Sequence, residues 1–185
     1  MARKKLSPKY FVGCLVIVLS ACGSEQPAVK DSSLRLDLIE QAMDAVDAAV
    51  GEDQAYFEIN VTDSVVNLFL ATDLDGQPNP DGLPDAMVQY VFTPQDGLED
   101  VALPLAANGP TFTRSAVNFS VEKVLLKVVS ALPNSTAKMF VIAGVGTASG
   151  STGVADYRVR MNSSQGGEMS VLVTKDGEII GTDAS

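Results

Sequence analysis

The sequence predicts an α+β fold in which two helices pack on antiparallel sheet, as a single domain over residues 33–185. Three observations predict it. Two stretches carry apolar residues at helical spacing, runs of β-branched and aromatic residues follow each, and Asp-Gly pairs stand where such runs would fold back. The order occurs twice, which predicts a duplicated α-β-β-β unit with halves at about 33–103 and 118–181.

The first helix is expected over about 34–50. Leu38, Ile39, Ala42, Ala45, Val46, Ala49 and Val50 recur at helical spacing, Ser32 or Ser33 can cap the start, and Gly51 can end it. The other face carries Asp37, Glu40, Asp44 and Asp47 at i, i+3, i+7 and i+10. Like charges one turn apart repel by roughly 0.2–0.5 kcal/mol each, so this stripe is expected to face water, with docking of a partner as the alternative. Phe57, Ile59 and Val61 then alternate with Glu58 and Asn60, as in a half-buried strand. Runs from Val65 to Leu70 and from Met87 to Thr93 read as two more strands, separated by an aspartate-rich loop. Gln95, Asp96 and Gly97 form a hairpin turn that returns through Leu98 to Leu103, and 104–117 reads as a connector.

In the second half, Val121, Val124, Leu125, Val128 and Leu132 line one face of a helix opened near Asn118 or Ser120 and ended by Pro133. Strands are expected at Met139 to Val145, Val154 to Met161, Met169 to Thr174 and Glu178 to Ile180. Lys175, Asp176 and Gly177 supply the last turn. Arg158 and Arg160 share one strand face, reading either as a surface ladder or as a contact for an anionic ligand.

The amino end carries Arg3, Lys4, Lys5 and Lys9, an apolar run from Tyr10 to Leu19, and then Ser20, Ala21 and Cys22. A cationic start, a short apolar core and small residues before the break describe a secretory signal peptide over residues 1–21. An uncleaved anchor needs roughly 20 apolar residues, about twice this run. The segment Leu19-Ser20-Ala21-Cys22 resembles the lipobox of bacterial lipoproteins. That resemblance implies cleavage before Cys22, lipid on its thiol, and a second acyl chain on its amine. Residues 22–32 are then the lipidated cysteine and a flexible tether, and the protein is anchored to the outer face of the cell membrane or to the outer membrane of a two-membrane envelope. Gly23 is permissive for outer-membrane sorting.

Charge and cysteine count exclude several functions. Four of the 13 basic residues precede Cys22, so the part beginning there holds nine against 23 acidic residues, a net of −14. Such a surface repels nucleic acid, and membrane attachment must come from the acyl chains. With Cys14 in the signal and Cys22 lipidated, no thiol pair remains for a disulfide, redox motif or zinc cluster.

The first helix, the Val65–Leu70 strand, a loop with Asn79-Pro80 and the Asp96-Gly97 turn look like one half of certain uncharacterised actinobacterial envelope lipoproteins. The second half, with Gly166-Gly167, a β-run and Asp176-Gly177, looks like their other half. The resemblance covers most of residues 34–181 and implies a two-repeat α+β envelope domain, with no activity or functional residues attached.

Among residues that could carry chemistry, the loop from Asp73 to Asp85 is the sharpest local pattern. Asp75, Asn79, Asp81 and Asp85 place oxygen ligands around Gly76 and Gly82, as a calcium loop of thrombospondin type 3 or dockerin kind would. The arrangement departs from an EF-hand, since Gln77 and Val88 fall at its first and twelfth positions. Asp, Asn, Gly and Pro are also what a plain turn selects. For catalysis the chain has no His, so only a Lys could activate a hydroxyl; Lys127 and Ser130 stand one helical turn apart. Gly144, Gly146, Gly150 and Gly153 have the wrong spacing for a phosphate loop and read as a hairpin loop.

The expected function is therefore non-enzymatic: a lipid-anchored envelope domain that binds an unknown envelope protein, with no cofactor beyond a calcium alternative. The runner-up is a carrier of an apolar or lipid ligand, held in a cavity between helices and sheet lined by residues such as Phe57, Phe69, Leu70, Tyr90, Phe92, Phe140 and Tyr157.

Overall fold

The computed structural model describes residues 34–77, 79–146, 150–151 and 153–184; Cys22, the lipobox and the expected tether lie outside the described residues. A 3-10 turn, Leu36–Leu38, leads into α1 (Ile39–Val50), followed by β1 (Ala55–Val61), β2 (Val66–Thr72), β3 (Ala86–Thr93) and β4 (Gly97–Asp100). Two short strands, β5 (Leu105–Ala106) and β6 (Pro110–Thr113), and a 3-10 turn, Arg114–Ala116, precede α2 (Val121–Ala131). Then come β7 (Ser135–Gly144), β8 (Gly150–Ser151), β9 (Ala155–Ser163), β10 (Glu168–Val173) and β11 (Ile179–Ala184). The fold is α+β: two helices with a mostly antiparallel sheet.

The main path of the sheet runs β11-β10-β9-β7-β1-β2-β3-β4. Its centre is the antiparallel pair of β1 with β7, in which Ile59 faces Ile142 and Val61 faces Phe140. Each of these strands is the first main-path strand after a helix, and on either side the chain meanders outward strand by strand. β5 pairs with β3, β6 pairs with β1, and β8 joins β6 in parallel.

Strand alternation sends one row of side chains from every long strand to the same face. Ile59, Leu68, Phe92, Phe140, Val159 and Val171 belong to a single buried core, and their pairings put them on one side of the sheet. Ile39, Ala42, Met43 and Val46 of α1 and Val124 and Val128 of α2 belong to that core as well. Both helices thus lie across the same face, each burying the stripe that its spacing marks. Fully burying one such aliphatic side chain is worth about 1.5–3 kcal/mol, which is what holds these short helices in place.

Several expectations are adjusted by packing. The first helix begins as a 3-10 turn, and Leu38 rather than a serine occupies the N-cap of α1. In β1 the register slips between Tyr56 and Glu58, so Tyr56 pairs with Leu70 and is fully buried, while Phe57 occupies the irregular position. The return strand after Asp96-Gly97 ends at Asp100 rather than Leu103, and Leu103 is 86% exposed. Residues 104–117 are more than a connector. Phe112 within them is fully buried and stacks on Tyr56 at 5.8 Å between ring centroids, which is why this segment pairs as β6.

Two glycines mark close approaches. A Cβ at Gly144 would lie 2.3 Å from the Pro110 carbonyl oxygen, so β6 passes directly over the end of β7. A Cβ at Gly177 would lie 2.7 Å from the Lys123 carbonyl oxygen, where the β10–β11 turn meets the first turn of α2. The Ser120 N–H donates to the Lys175 carbonyl at 2.9 Å at the same contact.

Candidate functional site

The acidic face of α1 faces water, as its spacing leads one to expect, with the Glu40 and Asp44 side chains each 68% exposed, but it also carries a counter-charge that the spacing does not show. Arg114, delivered by the 3-10 turn after β6, places its guanidinium among three of the four carboxylates. Nη1 donates to Asp47 Oδ2, and Nη2 donates to Glu40 Oε2 and Asp44 Oδ1, each at 2.7 Å. The fourth, Asp37, pairs with Arg35 at 2.7 Å. The three carboxylates stand on successive turns because helical periodicity stacks i, i+4 and i+7, and one planar fork can span them. The Asp44 hydrogen bond is the largest cause holding the Arg114 pKa above its ordinary value; Asp47 and Glu40 add to it and partial burial opposes it. A connector arginine opposite an acidic stripe carried no sequence signal, because the pairing spans 67 or more residues.

Beneath this clamp the Tyr56 hydroxyl is buried with no hydrogen-bond partner among the described residues. Burial, followed by the Asp47 charge, pushes its pKa up to about 12, with Arg114 pulling the other way.

The aspartate-rich loop spends its oxygens on its own backbone. Asp75 Oδ1 accepts from Gln77 N–H at 2.9 Å, Asp81 Oδ1 from Leu83 N–H at 3.0 Å, and Asp85 Oδ1 from Leu74 N–H at 2.8 Å. Asn79 Nδ2 donates to Asp73 Oδ1 and to the Leu83 carbonyl. The structure therefore brings Asn79 to Asp73 and ties Asp85 across the loop. Among the described residues no three acidic groups gather in a way that could hold a metal ion. Asp75 and Asp81 each accept from the N–H two residues on, as in Asx turns, while Asp85 accepts from a residue eleven positions earlier.

The aromatic residues expected to line a cavity divide between environments. Leu70, Phe92, Phe140 and Tyr157 lie in the core, whereas Phe69 points to the opposite face of the sheet. Phe119, in the segment before α2, packs against Phe140 and Tyr157 at 5.0 and 5.3 Å between centroids. The Tyr157 hydroxyl donates to the Ala116 carbonyl at 2.9 Å and accepts from the Asn118 N–H at 3.0 Å. At this point rings fill the space between helix layer and sheet.

Among the described residues, no helix lies across the second face of the sheet, and an ordered row of polar side chains crosses its centre. Gln89 Nε2 donates to Asn67 Oδ1 at 3.2 Å, Asn67 Nδ2 to Asn60 Oδ1 at 2.8 Å, and Asn60 Nδ2 to Glu58 Oε1 at 2.9 Å. The row links β3, β2 and β1, with half-buried Phe69, Met87 and Val91 beside it. Toward β9 the same face carries Arg158, opposite Val141 and Leu172, and Arg160, opposite Met139 and Ser170. Arg158 lies 3.5 Å from Asp156. A hollow of about 260 Å³ opens beside it, lined by Ser170, Leu172, Gly181, Thr182 and Asp183.

Lys127 of α2 forms an ion pair with Glu178, the residue before β11. Val145, Gly146 and Gly153 border a segment that is only partly described, and Gly150 pairs with Pro110. No family model, curated protein or solved structure matches the chain.

Proposed function

We propose that this chain is a non-enzymatic, lipid-anchored envelope module that docks a partner protein on the helix-free face of its sheet. The observation that carries the docking reading is the Gln89–Asn67–Asn60–Glu58 row with Phe69, Met87 and Val91 beside it. Polar groups already fixed by one another lose little entropy on contact, and the flanking apolar side chains have area left to bury. The anchor rests on the lipobox-like Leu19-Ser20-Ala21-Cys22, with Cys22 carrying the acyl chains, and places the domain outside the cell membrane or on the outer membrane. The absence of histidine from the sequence and the pairing of Lys127 with Glu178 favour binding over nucleophilic catalysis.

We also infer that the two halves descend from one duplicated unit. What supports this is the order α1-β1-β2-β3-β4 against α2-β7-β9-β10-β11, with β1 and β7 as the shared centre.

Two measurements in a bacterial host test the reading. Palmitate labelling should appear on the full chain and vanish in Cys22→Ser; label on that variant overturns the anchor. A photo-crosslinking residue at Phe69 or Val91 should give adducts in intact cells that one at Glu122 on α2 does not. Equal adducts from both faces, or none from the sheet, overturn the docking surface.

A further inference from the structure

Of the seven asparagines in the chain, only Asn108 precedes a glycine. Asn79 precedes a proline, which has no N–H, and the others precede Val61, Leu68, Phe119, Ser135 and Ser163, whose Cβ atoms crowd the intervening amide. The fold leaves the Asn108-Gly109 pair open. Asn108 is exposed and lies between β5 and β6, outside both strands. Among the described residues the Gly109 N–H enters no backbone hydrogen bond, and the Asn108 carboxamide makes none with a side chain. Gly109 has a φ of +133°, and a Cβ built on it would meet nothing within 4 Å, so there is open space beside its nitrogen.

The neighbours of this pair are fixed. The Ala107 N–H donates to the Asp85 carbonyl at 2.8 Å, and the Gly109 carbonyl accepts from the Gly150 N–H at 3.1 Å. Asn108 lies between those two bonds and lines a hollow of about 400 Å³ with Asn79, Asp81, Leu83 and Asp85. Leu83 in turn packs on β8, where a Cβ at Gly150 would fall 2.8 Å from Leu83 Cδ2. One peptide unit thus stands where the aspartate-rich loop, β6 and β8 meet. The four Asp-Gly pairs of the chain differ from it in two ways. Their side chains are carboxylates, far poorer electrophiles than a carboxamide. Each is also held: Asp75 by the Gln77 N–H, Asp81 by the Leu83 N–H, Asp96 by the Thr93 hydroxyl and Asp176 by Lys175.

We propose that Asn108 is a site of spontaneous deamidation in the folded protein, converting the amide at this junction to aspartate and isoaspartate. The Gly109 nitrogen attacks Asn108 Cγ and gives up its proton. The C–N bond of the carboxamide breaks and ammonia leaves with that proton, closing a succinimide ring. Water then adds to one of the two ring carbonyls and its C–N bond to the Gly109 nitrogen opens, giving one or the other product. Nothing is oxidised or reduced, and water is the only co-reactant. Aspartate places a further negative charge in the hollow that Asp81 and Asp85 already line. Isoaspartate inserts one more atom into the main chain between the bonds to Asp85 and Gly150, so one of them must give. The β6–β8 pair, only two residues long, has little to resist that shift. The change is independent of the sheet-face docking surface and of the anchor.

The test incubates the full chain in detergent in warm, mildly alkaline buffer. Peptide mapping by mass spectrometry reads amide-to-acid conversion at each asparagine, and an isoaspartate-specific methyltransferase reads the isomer. A free peptide covering residues 104–112 serves as the unfolded reference. Conversion at Asn108 should run about tenfold or more ahead of Asn134 and Asn162, and within about tenfold of the free peptide. Asn108→Gln, whose longer side chain closes the corresponding ring poorly, should keep its melting temperature through an incubation in which that of the parent falls. Conversion at Asn108 no faster than at Asn134, or more than about tenfold slower than in the peptide, overturns the site. Aspartate formed without isoaspartate overturns the ring route. Equal melting of the aged parent and the aged Asn108→Gln overturns the consequence for β6 and β8.

Discussion

Arg114 holds Asp47 at 2.7 Å from 67 residues further along the chain, and the same guanidinium takes Glu40 and Asp44. Without it, three carboxylates on one side of α1 would repel one another with no counter-charge among them. Asp47 is the least exposed of the three, its side chain 19% accessible, so it is the partner whose desolvation most needs the arginine.

Arg114→Met keeps the aliphatic stem and removes the charge. It should lower stability by about 1 kcal/mol, at the upper end for surface pairs because the arrangement is a network. Urea unfolding of Arg114→Met, Asp47→Asn and the double variant checks this. The coupling energy should be favourable and should shrink in 1 M salt; additive effects would mean that the clamp contributes nothing.

Tyr56 makes the stability depend on alkaline pH. Its pKa is raised from 10 to about 12 in the folded chain, so the folded state holds the phenolic proton more tightly than the unfolded state. The resulting stabilisation is fully present below about pH 10 and is lost as pH rises toward 12, at up to about 1.4 kcal/mol per pH unit. Tyr56→Phe should flatten this part of the profile relative to the parent. At pH 7 the variant should be at least as stable, because the buried hydroxyl it deletes has no hydrogen-bond partner among the described residues. A marked loss of stability at neutral pH would show that the hydroxyl is bonded after all.

Tyr157 should behave in the opposite way. Its hydroxyl joins the Ala116 carbonyl to the Asn118 N–H, setting the path of the chain into α2. Tyr157→Phe leaves both backbone groups without that partner and should cost about 1–3 kcal/mol by denaturant unfolding. The contrast between the two Tyr→Phe changes is the informative readout.

Gly144→Ala should be severe for a single methyl group. The new Cβ would fall 2.3 Å from the Pro110 carbonyl oxygen, so backbone must move. A loss of about 1–3 kcal/mol is expected, as for other over-packing changes. A Cβ at Gly166, in an open turn, meets no neighbouring atom within 4 Å, so the cost of Gly166→Ala is that of its positive φ alone.

The aspartate-rich loop should be stable without metal. Because Asp75, Asp81 and Asp85 each satisfy a backbone N–H, chelator should leave the melting temperature unchanged, and Asp85→Ala should cost about 1 kcal/mol through the loss of the Leu74 contact. A rise in melting temperature with millimolar calcium would restore the cation-binding alternative for Asp75, Asn79, Asp81 and Asp85.

The local periods of the sequence determined the class of the protein, both helices and most of the strands. Spacing of 3.6 in α1 and α2, the β-branched and aromatic run of β2, alternation in β9, and Asp-Gly at the β3–β4 and β10–β11 turns are properties of neighbouring residues, readable without a fold. Only tertiary structure decided that Tyr56 replaces Phe57 in the core, since a bulge in β1 is set by the strands on either side. Tertiary structure likewise turned part of a connector into β6, through the buried Phe112 against Tyr56, and bridged an acidic stripe with Arg114. It also decided which side of the sheet stays free of helix, and with it the Gln89–Asn67–Asn60–Glu58 row, whose members lie on three strands. Pairings over tens of residues leave no period in the chain, because what selects them is the shape and charge that already folded elements present to one another.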